Sequence, residues 1–425
     1  MNRPHDRHFG KAGLWAAALL FAVGFSLVLA HDLNAWASTT EKDPLVRPEA
    51  LTRDLNTRLS TAEADPRTKS GAPAAAPAVA QVRRDIDILN TVIRYIKTDY
   101  LEVPDPNKSM AGAFEGLVNA LDVMSGYLDK PAVAKYGAAR TAPLKDVGAI
   151  IYKRANAFPL VIGVVAGSPA EKAGVKIGDY LSALDDRSTL VWSLSEINID
   201  LKDTAGAPVK LRVIRETTTK EIPVTRADVY PKALTYAPQA GTAGVLKVHH
   251  FYAPLAAEMA RAVVPQVRGQ KSPLVIDLRD CYEGDRAVVQ SFLNFFLTKD
   301  KAGWFEKKSG DKDILACPNP APLGGVPVVV WTNQATLGPA EIVAAALKDQ
   351  GQAKVVGIET PGLASEQELF PLDSGDALLL TTGVYVTASG GKIWGKGVSP
   401  DVKIDLTKTA TKDYLEKTLA LPPGR

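Results

Sequence analysis

The stretch NQATLGPAEIVAAAL, Asn333 to Leu347, directly follows the apolar run VPVVVWT. Gly338 and Pro339 end the strand and open a helix whose apolar face is Ile342, Val343, Ala346 and Leu347. Such a turn has the outline of a nucleophile motif, yet its apex carries no side chain that could be acylated. Other groups could attack a carbonyl or accept a proton: Thr336, Ser365, Cys281 and the pair His249-His250. Cysteine with histidine can form a nucleophile and its base. Each has a simpler role as well. Thr336 caps a turn, Ser365 is a loop hydroxyl, Cys281 is a small buried thiol, and adjacent histidines on a strand point to opposite faces.

Other chemistries find less support. The five histidines lack metal-site spacing, and His5 and His8 precede an apolar run near the N-terminus, so neither metal nor cofactor is expected. Gly324 and Gly325 form the turn before a strand, not a phosphate loop. A net charge of +3 over 425 residues leaves no nucleic-acid footprint. The two cysteines, Cys281 and Cys317, are either bridged or two partly buried thiols.

The elements that must position these residues follow from the pattern. Arg3, Arg7 and Lys11 precede LWAAALLFAVGFSLVLA, Leu14 to Ala30, with A-x-A at Ala35 to Ala37. This predicts an export signal over 1–37, either cleaved or kept as a membrane anchor, with the remainder outside the cytoplasm. Residues 38–81 are rich in Pro, Ala, Ser and charge and are expected to form a flexible linker. From Val82, the residues Ile86, Ile88, Leu89, Val92, Ile93 and Ile96 fall at helical spacing. A second helix is expected over Met110 to Met124, giving a helical region over 82–143.

Residues 144–227 read as short strands around helices, with Ser168 as N-cap, Pro169 in the first turn and Gly174 at C′. Residues 228–406 alternate strand and helix, with LLLTTGVYVT and KIWGKGVSPDVKI expected as further strands of the same sheet, and 407–425 form a tail.

Over roughly residues 82–406 the chain resembles the C-terminal processing (tail-specific) proteases, the S41-type serine peptidases. The fragments occur in family order: LNTVIRYIKTDYLEVPDP and FEGLVNALDVMSGYL, then GVVAGSPAEKAGVKIGDYLSALDD as the PDZ core. VIDLRD, NQATLGPAEIVAAALKDQGQAKVVGIETPG and GKGVSPDV follow as the catalytic core. The resemblance implies a multidomain α/β and α+β protein with a helical N-terminal segment, a PDZ-like domain and an S41-type core of ClpP/crotonase-like sheet and helices.

It also implies a serine nucleophile, an unprotonated lysine as base and backbone N–H donors for the oxyanion. Set against the family pattern S-A-S-A-S-E-I, with Glu341-Ile342 fixing the register, the nucleophile position is Gly338. Set against G-E-x-T-F-G-K-G-x-V-Q, the base position is Leu363, while Gln367 is retained. The oxyanion loop D-L-R-x-N-P-G-G maps onto Asp277 to Gly284, so Cys281, Tyr282 and Glu283 replace Asn-Pro-Gly ahead of Gly284. A carboxylate there would oppose developing negative charge. These changes predict a pseudoprotease; an active endopeptidase with a relocated nucleophile is the alternative.

A PDZ-like module captures peptide C-termini without catalytic side chains. Its carboxylate nest is expected at Val147, Gly148 and Ala149, with Ile150, Ile151 and Leu194 lining the side-chain pocket. The expected partners are protein or peptide C-termini, an active protease relative or a second copy, and a membrane if the N-terminal segment is kept. With leucine in place of the base, the former cleft is also expected to be apolar and to let a peptide strand rest there uncut.

Overall fold

The structure is a computed structural model that describes residues 75–422 except 140–143, 231, 319–320 and 407–408, with no side-chain account of 75–80, 82, 106 and 107. The expected export signal therefore lies outside the described residues. Two compact units form, one comprising residues up to Leu121 with Pro371–Asp376, the other Asp122–Phe370 with Ala377–Arg425.

The first unit contains α1 (Ala75–Asp99) and α2 (Pro106–Asn119). Helix α1 begins inside the stretch expected to be linker, because the alanines at 75, 76, 78 and 80 favour helix over coil once a helix follows, with Pro77 tolerated in the first turn. Helix α2 stops at Asn119, short of the expected Met124. Along α1 the side chains of Ile88, Val92, Tyr95 and Ile96 are exposed on one stripe.

In the second unit, β1 (Gly126–Leu128) and α3 (Lys130–Ala139) lead into the PDZ-like module. Its elements are β2 (Lys145–Asp146), β3 (Ala149–Tyr152), β4 (Leu160–Val164), α4 (Pro169–Ala173), β5 (Tyr180–Leu184), β6 (Arg187–Ser188), α5 (Leu194–Asp200), β7 (Lys202–Asp203), β8 (Pro208–Arg215) and β9 (Thr218–Thr225). Strands pair in the order β3-β4-β5-β8-β9, so β3 is an edge, and β2 pairs with β7. Ser168 caps α4 by accepting from Glu171 N, and Gly174 closes it at φ 85°. Ser193 and Glu196 form a reciprocal capping box on α5.

The core follows with β10 (Leu234–Ala237), β11 (Val245–Val248), and α6 (Leu255–Glu258), which runs through a π-helical turn (Met259–Val263) into α7 (Val264–Val267). Then come β12 (Leu274–Asp277), α8 (Arg286–Leu293), β13 (Lys301–Lys307), β14 (Lys312–Ala316), β15 (Val328–Thr332), α9 (Pro339–Asp349), β16 (Ala353–Gly357), β17 (Ser365–Pro371), β18 (Ala377–Thr387), β19 (Val402–Lys403) and α10 (Thr411–Leu419). One sheet runs β10-β11-β12-β15-β16-β19 and is parallel from β11 onward. β12 and β15 are buried along their whole length, as strands covered on both faces must be. LLLTTGVYVT is a strand, β18, but it belongs to a second, antiparallel sheet ordered β1-β18-β13-β14, with β17 also paired to β18. KIWGKG is not a strand, and only Val402–Lys403 joins the parallel sheet.

Two ionic details anchor the unit. Asp277 receives two hydrogen bonds from the Arg279 guanidinium (2.9 and 2.7 Å), which also lies against the rings of Trp331 and Tyr414. Asp401 clamps β16, its carboxylate accepting from Val355 N at 2.8 Å.

In the PDZ-like module the buried Lys153 ammonium donates to the carbonyls of Thr189 and Leu190, each at 2.7 Å. Burial pulls its pKa down from 10.5 to about 8, although Glu196 pulls upward. The folded protein thus releases this proton before the unfolded chain does. Between about pH 8 and 10.5 the unfolded state holds more protons, so this group makes stability rise with pH. Denaturant melts of the wild type and Lys153→Met across that range should show the wild type gaining on the variant as pH rises.

Candidate active site

Three segments meet where the family pattern places catalysis, and the topology explains why. β12, β15 and β16 are adjacent parallel strands, and the loops leaving their carboxyl ends hold residues 278–284, 333–338 and 358–364. Open α/β sheets build their sites at these ends.

The segments are held by one carboxylate. Glu341, in the first turn of α9, has 0% exposure. It accepts from Gly338 N (2.9 Å), Thr360 Oγ1 (2.5 Å), Gly362 N (2.6 Å) and Leu363 N (2.7 Å). Burial pushes its carboxyl above the ordinary range while the four donors pull against it. It joins the turn after β15 to the loop after β16. A second link is Asn333, whose amide bonds Asp280 Oδ1 (2.9 Å) and whose carbonyl oxygen receives Asp280 N (3.1 Å).

Gly338 adopts φ 48° and ψ −105° at the apex, and a Cβ built on it would meet nothing within 4 Å. There is room for a side chain, at the cost of backbone strain. The turn also lacks what a nucleophile would need beside it. The N–H groups of Thr336, Leu337 and Ala340 bond Asn333 O, Cys281 O and Leu337 O, that of Gly338 bonds Glu341, and Pro339 has none. The N–H following a nucleophile is a natural oxyanion donor. Pro339 was in plain view in the sequence, and its missing N–H is the signal that could have been read there.

At the base position, Leu363 is 8% exposed and belongs to the apolar cluster of the PDZ-like module, together with Ala335 and Leu337. Gln367 donates to Ser365 Oγ at 2.7 Å, and Ser365 donates to Leu363 O at 3.2 Å. In the altered oxyanion loop, Tyr282 donates to Asp146 Oδ2 at 2.9 Å, and Glu283 forms a close ion pair with Lys202 of β7. Gly284 sits where a Cβ would meet Phe251 Cβ at 2.3 Å. The carboxylate of Glu283 is therefore neutralised by Lys202 rather than directed at the turn. Burial alone would pull Lys202 down, but Glu283 and Asp146 together hold it above its ordinary range.

The three side chains at these positions are engaged by the PDZ-like module: Leu363 in its apolar cluster, Tyr282 on Asp146 and Glu283 on Lys202. Spare nucleophiles are also committed. Thr336 Oγ1 donates to Leu278 O and accepts from Asn333 N, both 2.9 Å. Cys281 and Cys317 are free, buried thiols, and burial pushes both up. His249 and His250 do not diverge as strand neighbours would: both rings lie against Tyr230, because β11 has ended at Val248. Burial pulls each imidazole down to about 4.

At the expected nest, Val147, Ala149, Ile150, Ile151 and Leu194 are buried, and Gly148 has φ 83°. The Gly148 N–H bonds the chain's own Asp146 Oδ1 at 3.0 Å.

Residues 242–404 match the family model of peptidase family S41, and residues 160–215 match a PDZ domain. The carboxy-terminal processing protease CtpA of Bacillus subtilis (strain 168) is 28% identical over 335 residues, covering 78% of this chain and 71% of the relative. A probable CtpA-like serine protease of Staphylococcus aureus (strain COL) is 27% identical over 345 residues, covering 80% and 69%. In fold the chain is similar to a photosystem II D1 C-terminal processing protease, with TM-score 0.61 and 20% identity over 96% of this chain and 97% of that one. The chain thus carries a region that matches peptidase family S41 and, ahead of it, one that matches a PDZ domain, the arrangement of the C-terminal processing proteases it is similar to.

Glu341→Gln presents an NH2 group to donors that need an acceptor. Thermal or denaturant unfolding should show a loss of about 2–4 kcal/mol, with Glu341→Asp intermediate.

Proposed function

We propose that this chain is a non-catalytic member of its family, a pseudoprotease of the cell envelope that holds protein instead of cutting it. One observation carries the reading: the turn from Thr336 to Ala340 offers neither a nucleophile at Gly338 nor an uncommitted oxyanion donor, since Pro339 has no N–H and the other four are bonded. Leu363 adds that no proton acceptor stands at the base position. The envelope assignment is supported by the basic residues ahead of Leu14 to Ala30. None of the described helices is long and apolar enough to cross a membrane.

What it would hold is a protein C-terminus, added as a strand along the free edge of β3 with its side chain toward Ile150, Ile151 and Leu194. The exposed stripe on α1 is the surface an assembly with an active relative or a second copy would use. A relocated active site is the weaker reading, because Thr336 is fully bonded, Cys281 is held as a buried thiol and the histidines are buried against Tyr230.

Residues 38–425, incubated with disordered polypeptides of varied C-termini and followed by mass spectrometry, should produce no cleavage. The variant Gly338→Ser/Leu363→Lys should also be inactive, because Pro339 still supplies no donor. Reproducible cleavage by the unmodified chain, surviving removal of contaminating proteases, would overturn the reading. Cleavage by the double variant would show that Pro339 is no obstacle.

A further inference from the structure

Three positions that distinguish this site from the family pattern, Leu363, Tyr282 and Glu283, touch the PDZ domain. Leu363, at the base position, shares an apolar cluster with Ile150, Val161 and Ile162, and Ala335 and Leu337 of the nucleophile turn belong to the same cluster. The fit is close: a Cβ on Gly163 would lie 2.9 Å from Ala335 Cβ and 3.3 Å from Asp280 Oδ1. Gln334 Nε2 donates to Ile162 O at 3.0 Å. On the other side of the turn, Tyr282 reaches Asp146 and Glu283 pairs with Lys202, while Lys202 also lies 3.9 Å from Asp146.

We infer that the residues standing where the catalytic devices would be serve as a brace that fixes the PDZ domain to the S41 core as one rigid body. The brace has an apolar half and an ionic half, and they act differently. The apolar half, around Leu363 and Leu337, favours contact without direction. The ionic half sets register, since a buried Lys202 and Glu283 are costly to separate: Glu283 would be left as an unpaired buried charge and Lys202 with only the longer contact to Asp146. Tyr282 adds a hydrogen bond to Asp146, the carboxylate that also holds Gly148 N, so the brace reaches the β3 edge directly. A lysine at 363 would place an ammonium in the apolar half, and a glycine at 283 would strand Lys202. The substitutions are therefore mutually consistent as packing. This rests on the contacts alone and does not depend on whether the site is catalytically inert.

Hydrogen exchange of the full exported chain tests the brace without mutation. The amides of Leu337, Val164 and Val165 should exchange only by the global unfolding that also releases β12 and β15. Faster exchange of these three, with β12 and β15 still protected, would mean that the PDZ domain and the turn open independently of the core and would overturn the inference. The triple variant Lys202→Ala/Tyr282→Ala/Glu283→Ala removes both ends of the ionic half together. It should speed exchange at the three amides about tenfold or more while β12 and β15 retain protection. Wild-type exchange there, in a variant that still folds, would likewise overturn it. If the variant fails to fold, the mutation-free experiment decides alone.

Discussion

The site depends on a buried carboxylate that does no chemistry. Glu341 gathers four donors from three places, the turn apex, the loop after β16 and the threonine that opens that loop. Desolvating an acid is costly, and it is tolerated here because the donors and the start of α9 compensate it. Through that one group, the position of Leu363 is tied to the position of Gly338. Thr360 extends the tie, accepting from Val398 N at 2.8 Å, and Gly397 lets the two backbones approach, since a Cβ there would lie 1.7 Å from Thr360 O. The scaffold of a catalytic site therefore persists as a structural joint, with its geometry enforced by packing.

From that joint outward, charge and apolar contact divide the work. Arg279 is held by Asp277 and lies against two aromatic rings, that of Trp331 and that of Tyr414 on α10, which fixes the loop after β12 against α10. Beyond it the loop turns toward the PDZ domain, where Lys202 and Asp146 receive Tyr282 and Glu283. A carboxylate expected to face the turn instead faces away from it. Sign alone misjudged the residue because its counter-ion lies on β7, far away in sequence.

Features written in local chemistry were legible. SPAEKAG gave the cap, first turn and left-handed close of α4 because each depends on residues within one helical turn. The strand-to-helix turn and the vacancy at Gly338 were legible for the same reason. β13, β14 and β17, KAGWFEK, KDILA and SEQELFP, were not, since they carry charge at short intervals and are made strands by their pairing with one another and with β18. β18 was recognised as a strand but assigned to the wrong sheet, because pairing is a long-range choice. The packing of Leu363 was invisible too: a leucine there could face solvent or a neighbouring domain, and its partners in the PDZ domain lie far away in sequence.

Pro339 bears on history as well as chemistry. A serine regained at position 338 would occupy a strained backbone beside a residue with no N–H to offer an oxyanion. A lysine regained at 363 would sit in an apolar cluster with no serine to activate. Neither step alone would be rewarded by activity, and each would disturb packing already in use. On the reading proposed above, activity would therefore require several simultaneous changes, and the turn would act as a ratchet that single steps do not reverse.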